Sequence, residues 1–364
     1  MTAVVARLRR PWLTTEYEHG LRLLPTRATW CWAVVLAALW LVVPMQASDF
    51  TLTVLTLAGI FAVGGLGLNL LTGYTGQVSV GQAFFMGVGA YSAAHFGGDQ
   101  GLPLWVWFPL AALIGGAIGG AVGPFALRLR GNYLAIVSVG LLFIGLHVWN
   151  NFESVTGGND GVSAVPPMSL GSLDVNDLHL FGRVYSRYQT WFWFTWALVA
   201  VCALLCKNIV RSRPGRAMQA VRDRDAAAAV VGVNLARYKV GAFILSSALG
   251  ALAGGLQFAY VQYASPGEWG LARSVQFIAI VVVGGAGTIY GPVLGALLIG
   301  GLPNVVDRFV ADVDFIADAG LTAPELSQLL YGLLLVGFLV LEPRGLAGVW
   351  VRIKAYFTSW PFSY

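Results

Sequence analysis

Long stretches without a single charge constrain this chain more than any motif in it. Residues 29–46, 52–71, 103–127, 132–149, 190–206 and 240–263 contain no Asp, Glu, Lys or Arg. Several approach the roughly 20 residues that a helix needs to cross hydrocarbon about 30 Å thick. Backbone groups in lipid must be hydrogen-bonded within their own element, so apolar runs of this length specify helices. A membrane barrel would instead show alternating segments of roughly 10 residues, and none occur. A soluble domain is excluded too. With 22 basic and 17 acidic side chains in 364 residues, and a mean hydropathy of +0.72, there is too little charge to cover a water-facing surface. The chain is an all-α polytopic membrane protein with about 8–10 transmembrane or re-entrant helices.

The net charge of +5 matters through its distribution. Basic residues gather in the N-terminal arm (Arg7, Arg9, Arg10, Arg22, Arg27), at Arg128 and Arg130, and in the tail (Arg344, Arg352, Lys354). They are densest in loop 207–239, which holds Lys207, Arg211, Arg213, Arg216, Arg222, Arg224, Arg237 and Lys239. Segment 301–328 is acidic, with Asp307, Asp312, Asp314, Asp318 and Glu325 against Arg308. The positive-inside rule therefore places both termini and loop 207–239 in the cytoplasm, and loops 151–189 and 301–328 outside. The chain divides into a basic arm 1–27, a membrane domain 28–342 and a tail 343–364. The arm is too long and polar for a cleaved signal, so 30–46 reads as a retained span. Basic residues arranged this way report topology, not nucleic acid.

Counting crossings against these sides makes 275–302 begin and end outside, yet it is too short for two full spans. It reads as a hairpin of half-helices broken at Gly284-Gly285-Ala286-Gly287 or Gly291-Pro292. Element 82–97 is also short and follows Gly73, Gly76 and Gly81. Broken helices occur only where they are buried in protein or line a cavity. The order Thr75-Gly76…Gly81…Gly87 resembles Ala286-Gly287…Gly291…Gly295 and suggests an internal duplication, although 46 glycines also produce chance matches. Gly115-Gly116…Gly119-Gly120 and Gly250…Gly254-Gly255 read as close helix packing in lipid.

No constellation for chemistry emerges. His19, His95, His147 and His179 lack zinc spacing, and Cys31, Cys202 and Cys206 lie in apolar runs as packing residues. The spans carry no acid–base group of the kind ion coupling requires. Lys207, Lys239 and Lys354 are the only lysines, and none stands in a phosphate-binding G-x-x-x-x-G-K-[ST] loop. Energy for any transport must then arrive through another protein. Loop 207–239 is the one inner connection large enough to receive it. Pro214 suits a helix start there, Gly232 and Asn234 suit a stop, and residues 226–229 are all alanine. An ordinary basic loop that fixes orientation remains the alternative.

Several segments recur in the order found in one family. Asn69-Leu70-Leu71-Thr72-Gly73-Tyr74-Thr75-Gly76-Gln77-Val78-Ser79-Val80-Gly81-Gln82 resembles the signature of LivM-type permeases, from branched-chain amino-acid importers of the ABC class. Leu129-Arg130-Gly131-Asn132-Tyr133, Thr156-Gly157-Gly158-Asn159-Asp160-Gly161, Gly284-Gly285-Ala286-Gly287-Thr288-Ile289-Tyr290-Gly291-Pro292 and Pro343-Arg344-Gly345-Leu346 are similar to later landmarks. Residues 212–221 with Gly232-Val233-Asn234 resemble the family's ATPase-coupling loop. The likeness covers about residues 50–350. Gln82 stands where the pattern has histidine, Ala229 where it has a polar residue, and 168–189 is long for the family.

The resemblance implies a permease subunit of an importer in the cytoplasmic membrane. Its partners would be a sister permease, two ATP-binding subunits and an external substrate-binding protein. ATP would be used by those partners, with no cofactor bound by this chain. Asn69, Thr72, Gly73, Gly76, Gln77, Ser79, Gly81, Gln82, Gly284, Gly285 and Gly287 are expected along the substrate path. Gly215, Arg216, Asp225, Ala227, Ala228 and Gly232 are expected at the ATPase. A urea or short-amide permease is the nearest alternative, and a self-contained transporter or channel the alternative from another class.

Overall fold

The computed structural model describes residues 27–128, 133–170, 173–176, 179–180, 183–302, 306, 323–342 and 344–359. Residues 1–26 of the arm and most of the acidic segment 301–328 lie outside them. Helix α1 (Arg27–Gln46) belongs to a unit of its own that ends at Ala47. Its apolar side chains, among them Trp30, Trp32 and Leu36, are exposed along its length, as suits a lipid-facing span.

The second unit, from Ser48 onward, is built on two buried helices. Helix α2 (Asp49–Leu68) starts at Ser48, whose hydroxyl accepts from the Thr51 N–H, and continues as a π-helical turn, Asn69–Tyr74. It is followed by α3 (Gln82–Ser92, prolonged by a π-helical Ala93–Asp99), α4 (Leu104–Arg128), α5 (Tyr133–Asn151) and α6 (Arg187–Arg211). Two short helices follow, α7 (Arg213–Asp223) and α8 (Asp225–Val230). Helix α9 (Leu235–Val261) is the second central element, begun by the Asn234 side chain accepting from the Arg237 N–H at 3.0 Å. Helices α2, α4, α5, α6 and α9 are each long and apolar enough to cross a membrane.

Glycine sets how closely these helices meet. A β-carbon on Gly254 would strike the Met86 carbonyl, and one on Gly89 would strike the Ala251 carbonyl, so α3 and α9 touch backbone to backbone. Along α4, Gly115 faces Ala251 and the Ser247 carbonyl, Gly119 faces Ser247, and Gly123 faces Val240. The glycine rows in the sequence are thus the packing seams expected of them.

The region 275–302 is a hairpin. Helix α10 (Leu271–Gly284) descends, a turn follows, and α11 (Gly291–Gly295) returns through a π-helical Ala296–Gly300. Its faces fit against α2: a β-carbon on Gly64 would come 2.7 Å from the Phe277 ring, one on Gly65 3.0 Å from Ile280, and one on Gly300 2.9 Å from Phe61. Helix α10 begins before residue 275, which brings Arg273 into its first turn. That guanidinium lies 5.1 Å from the centre of the Phe61 ring and donates to Gln276 at 2.9 Å. An apolar span can therefore open on an arginine once its charge is engaged.

Helix α12 (Ala323–Leu341) follows, and the tail is a further helix, α13 (Gly345–Ser359), which the sequence reading treated only as a basic end. It tucks beneath the break of the hairpin: a β-carbon on Gly285 would come 2.7 Å from the Arg344 carbonyl and strike Ala347, and one on Gly345 would come 2.6 Å from the Val282 and Val283 carbonyls. At the opposite end of the bundle, the loops after α5 and α9 join in a two-residue antiparallel pair, Val162–Ser163 with Tyr263–Ala264. Arg187 there donates to the Tyr260 carbonyl at 2.7 Å.

Candidate functional site

Two glycine-rich breaks converge at the end of the bundle that carries α7. The first follows α2, where the π-helical turn closes on Thr75 and the chain runs without regular structure from Gly76 to Gly81 before α3 begins. The second is the turn 285–290 between α10 and α11. Gly76 has φ of 71° and Gly287 has φ of 79°, a left-handed backbone that disfavours any β-carbon. These are the two glycines that the internal similarity aligns, and each precedes the start of a short returning helix. The likeness therefore has a geometric counterpart.

Asn69 stitches the two together. Its side chain, 1% exposed, donates to the Thr288 carbonyl at 2.8 Å and accepts from the Gly287 N–H at 2.8 Å. Buried backbone groups in a non-helical turn need partners, and one carboxamide supplies both kinds. Other polar groups of the signature serve the same break. Thr75 donates to the Leu71 carbonyl at 2.6 Å, Thr72 to the Gln77 carbonyl at 3.0 Å, and the Gln77 N–H reaches the Leu71 carbonyl at 3.1 Å. Ser138 of α5 accepts from the Val80 N–H at 2.8 Å, and Ser274 of α10 from the Ala83 N–H at 3.2 Å. Gln82 is buried between the Gly64 carbonyl, at 3.0 Å, and Ser246, at 3.4 Å.

The residues expected along a path therefore separate. Asn69, Ser79, Gly81 and Gln82 are buried and engaged within this chain, Gly284 is pressed against Gly291, and Gly285 against α13. Thr72 and Gln77 are half-buried, and Gly76 and Val78 are exposed. Gly73 and Gly287 lie against each other, since a β-carbon on Gly73 would come 2.5 Å from the Gly287 nitrogen.

Loop 207–239 forms the other half of the site. Ser212 donates to the Ile209 carbonyl at 2.6 Å and turns the chain from α6 into α7. Gly215 is not outward-facing: it is buried, with no room for a β-carbon beside the Ile209 and Val210 carbonyls. Arg216 is exposed and donates to the Arg211 carbonyl at 3.0 Å. In α8, Ala228 turns inward, whereas Ala226, Ala227 and Ala229 are exposed, and Asp225 pairs with Lys239. Val230 and Val231 are 88% and 77% exposed, an apolar knob followed by Gly232 at φ 84° with nothing near it. Two valines next to four alanines carry no sequence signal that sets them apart from an ordinary helix end. Arg222, near the end of α7, donates to the Gly73 carbonyl. Among the histidines, His95 has a carboxylate neighbour the sequence reading passed over, Asp99 at 3.4 Å.

Comparison with known proteins identifies the family. The profile of the family described as "Branched-chain amino acid transport system / permease component" matches residues 50–339. The chain is 32% identical to the high-affinity branched-chain amino acid transport system permease protein LivM of Escherichia coli, over 86% of this chain and 73% of that protein. It is 26% identical to the permease protein LivH of the same system name in Escherichia coli, over 67% of this chain and 81% of the relative. The ribose import permease protein RbsC of Haemophilus influenzae is 25% identical over 81% and 88% respectively. No solved structure matches.

Proposed function

The chain belongs to the family of branched-chain amino acid transport permease components, and we propose that it imports branched-chain amino acids under power from separate ATP-binding subunits. The observation that carries the reading is the pairing of an exposed apolar knob, Val230 and Val231, with a loop joined directly to two helix breaks. Adjacent exposed valines on a polar loop suit a protein–protein contact. The positive-inside distribution puts that contact in the cytoplasm, where ATP is available. This chain carries no phosphate-binding loop in its sequence, so nucleotide is assigned to the partners.

The second permease subunit is supported by the relatives, since the chain is similar to two differently named permease proteins of one system name. We place the substrate seam beside α5. Its exposed Ile136, Gly140, Phe143, Ile144 and Val148 form one apolar face. Uncharged groups suit a passage that must release its cargo. An external binding protein delivers that cargo.

The test is uptake of labelled leucine into proteoliposomes that hold this chain with its partner subunits. Uptake requiring enclosed ATP, and competed by isoleucine and valine but not by urea, acetamide or ribose, supports the proposal. Leucine flux through the purified chain alone without ATP would replace it with a self-contained transporter.

A further inference from the structure

Arg222 counts as one more positive charge in a basic loop, but its position assigns it a mechanical task. Helix α7 is seated on the end of α6 through Gly215 and the Ser212 turn, and Met218 and Val221 are buried beneath it. It is a stiff rod of 11 residues, about 16 Å long, running from that seat to the neighbourhood of α8. Near its far end, Arg222 touches both glycine-rich breaks. The guanidinium donates to the Gly73 carbonyl, one of the backbone acceptors left open where α2 ends and where a cation is favoured. A β-carbon on Gly76 would lie 3.3 Å from the Arg222 Cα, and one on Gly287 would clash with its Nη1. Asn69 already binds the two breaks to each other. A push on α8 thus meets a single side chain whose neighbours belong to both returning segments.

We infer that Arg222 is a positioning residue that transmits movement of loop 207–239 to both breaks at once, so that the foot of α2 and the tip of the α10–α11 hairpin move together. The inference rests on the ATP-driven reading above and names the element that carries the force. Glycines at positive φ next to short helices are positions able to absorb such a change in backbone direction.

The complete transporter carrying Arg222→Ala is compared with wild type in proteoliposomes, reading leucine taken up per ATP hydrolysed. The expected result is a fall of roughly tenfold or more in that ratio, with ATPase subunits still co-purifying and ATP hydrolysis within about twofold of wild type. Arg222→Lys, which keeps a cationic donor but not the planar guanidinium, should fall between the two. An unchanged ratio overturns the inference. So does loss of the ATPase subunits, which would make Arg222 part of the docking contact. If Arg222→Ala does not accumulate, the Lys variant decides: a reduced ratio with intact assembly supports transmission, and a wild-type ratio overturns it. Failure of ATP-driven uptake in the wild-type complex would count against the transporter reading itself, separately from Arg222.

Discussion

The Asn69 side chain accepts the Gly287 N–H at 2.8 Å while donating to the neighbouring Thr288 carbonyl. A helix foot and a hairpin tip more than two hundred positions away are thus held by one carboxamide. Asn69→Leu leaves a part-buried N–H and a part-buried carbonyl without partners, at up to about 1–3 kcal/mol each. The melting temperature of the purified complex should drop clearly. Asn69→Asp keeps the acceptor alone, so it should lose more than half of that stability while still accumulating. Wild-type melting of Asn69→Leu would show that the two breaks are held by other contacts.

The glycine seams give a position-by-position contrast. Gly254→Ala and Gly89→Ala force a methyl onto a backbone carbonyl across the α3–α9 contact, and each should cost about 1–3 kcal/mol or more. Gly140→Ala and Gly241→Ala meet nothing within 4 Å and should leave stability unchanged. Fluorescence-detected size exclusion of the four variants checks the order.

The knob on α8 should matter for assembly and not for insertion. Val231→Asp places a carboxylate where an apolar contact is proposed, so recovery of ATPase subunits with the tagged chain should fall by roughly tenfold or more. The amount of chain in the membrane should not change. Equal recovery would move the docking contact elsewhere on the loop.

Glu268, in the turn between α9 and α10, supplies a pH dependence. Burial raises its carboxyl above the ordinary carboxylate value, with the Arg273 guanidinium and a backbone bond at Ser265 pulling the other way. An acid whose folded value is raised favours the folded state below its unfolded value. That advantage is lost as pH climbs through the folded one. The melting temperature should accordingly decline as pH rises above the ordinary glutamate range, and Glu268→Gln should flatten the decline. A slope unchanged by the substitution would assign it to another group.

Much of this architecture was readable from the residues, for physical reasons. Charge-free runs leave helices no alternative in lipid, and the sidedness of the arginines left 275–302 too short for anything but a hairpin. Rows such as Gly115…Gly119 have one use in a membrane. Less of the site was readable, because its bonds run to backbone. Arg222 reaches a carbonyl, which leaves no acidic partner in the sequence to suggest a pair. Asn69 and Gln82 looked equally fit to line a passage, and only the fold shows that both are buried against this chain's own backbone. The place of α13 beneath Gly285 had no pattern to betray it.

ATP-driven transport through this chain requires loop 207–239 to face the compartment that holds ATP. The most direct measurement is labelling of Val230→Cys with a membrane-impermeant maleimide, in a background with the exposed Cys31 replaced by serine and the buried Cys202 and Cys206 retained. Labelling in inside-out vesicles, and none in intact cells, is the predicted result. Labelling from outside intact cells would contradict it.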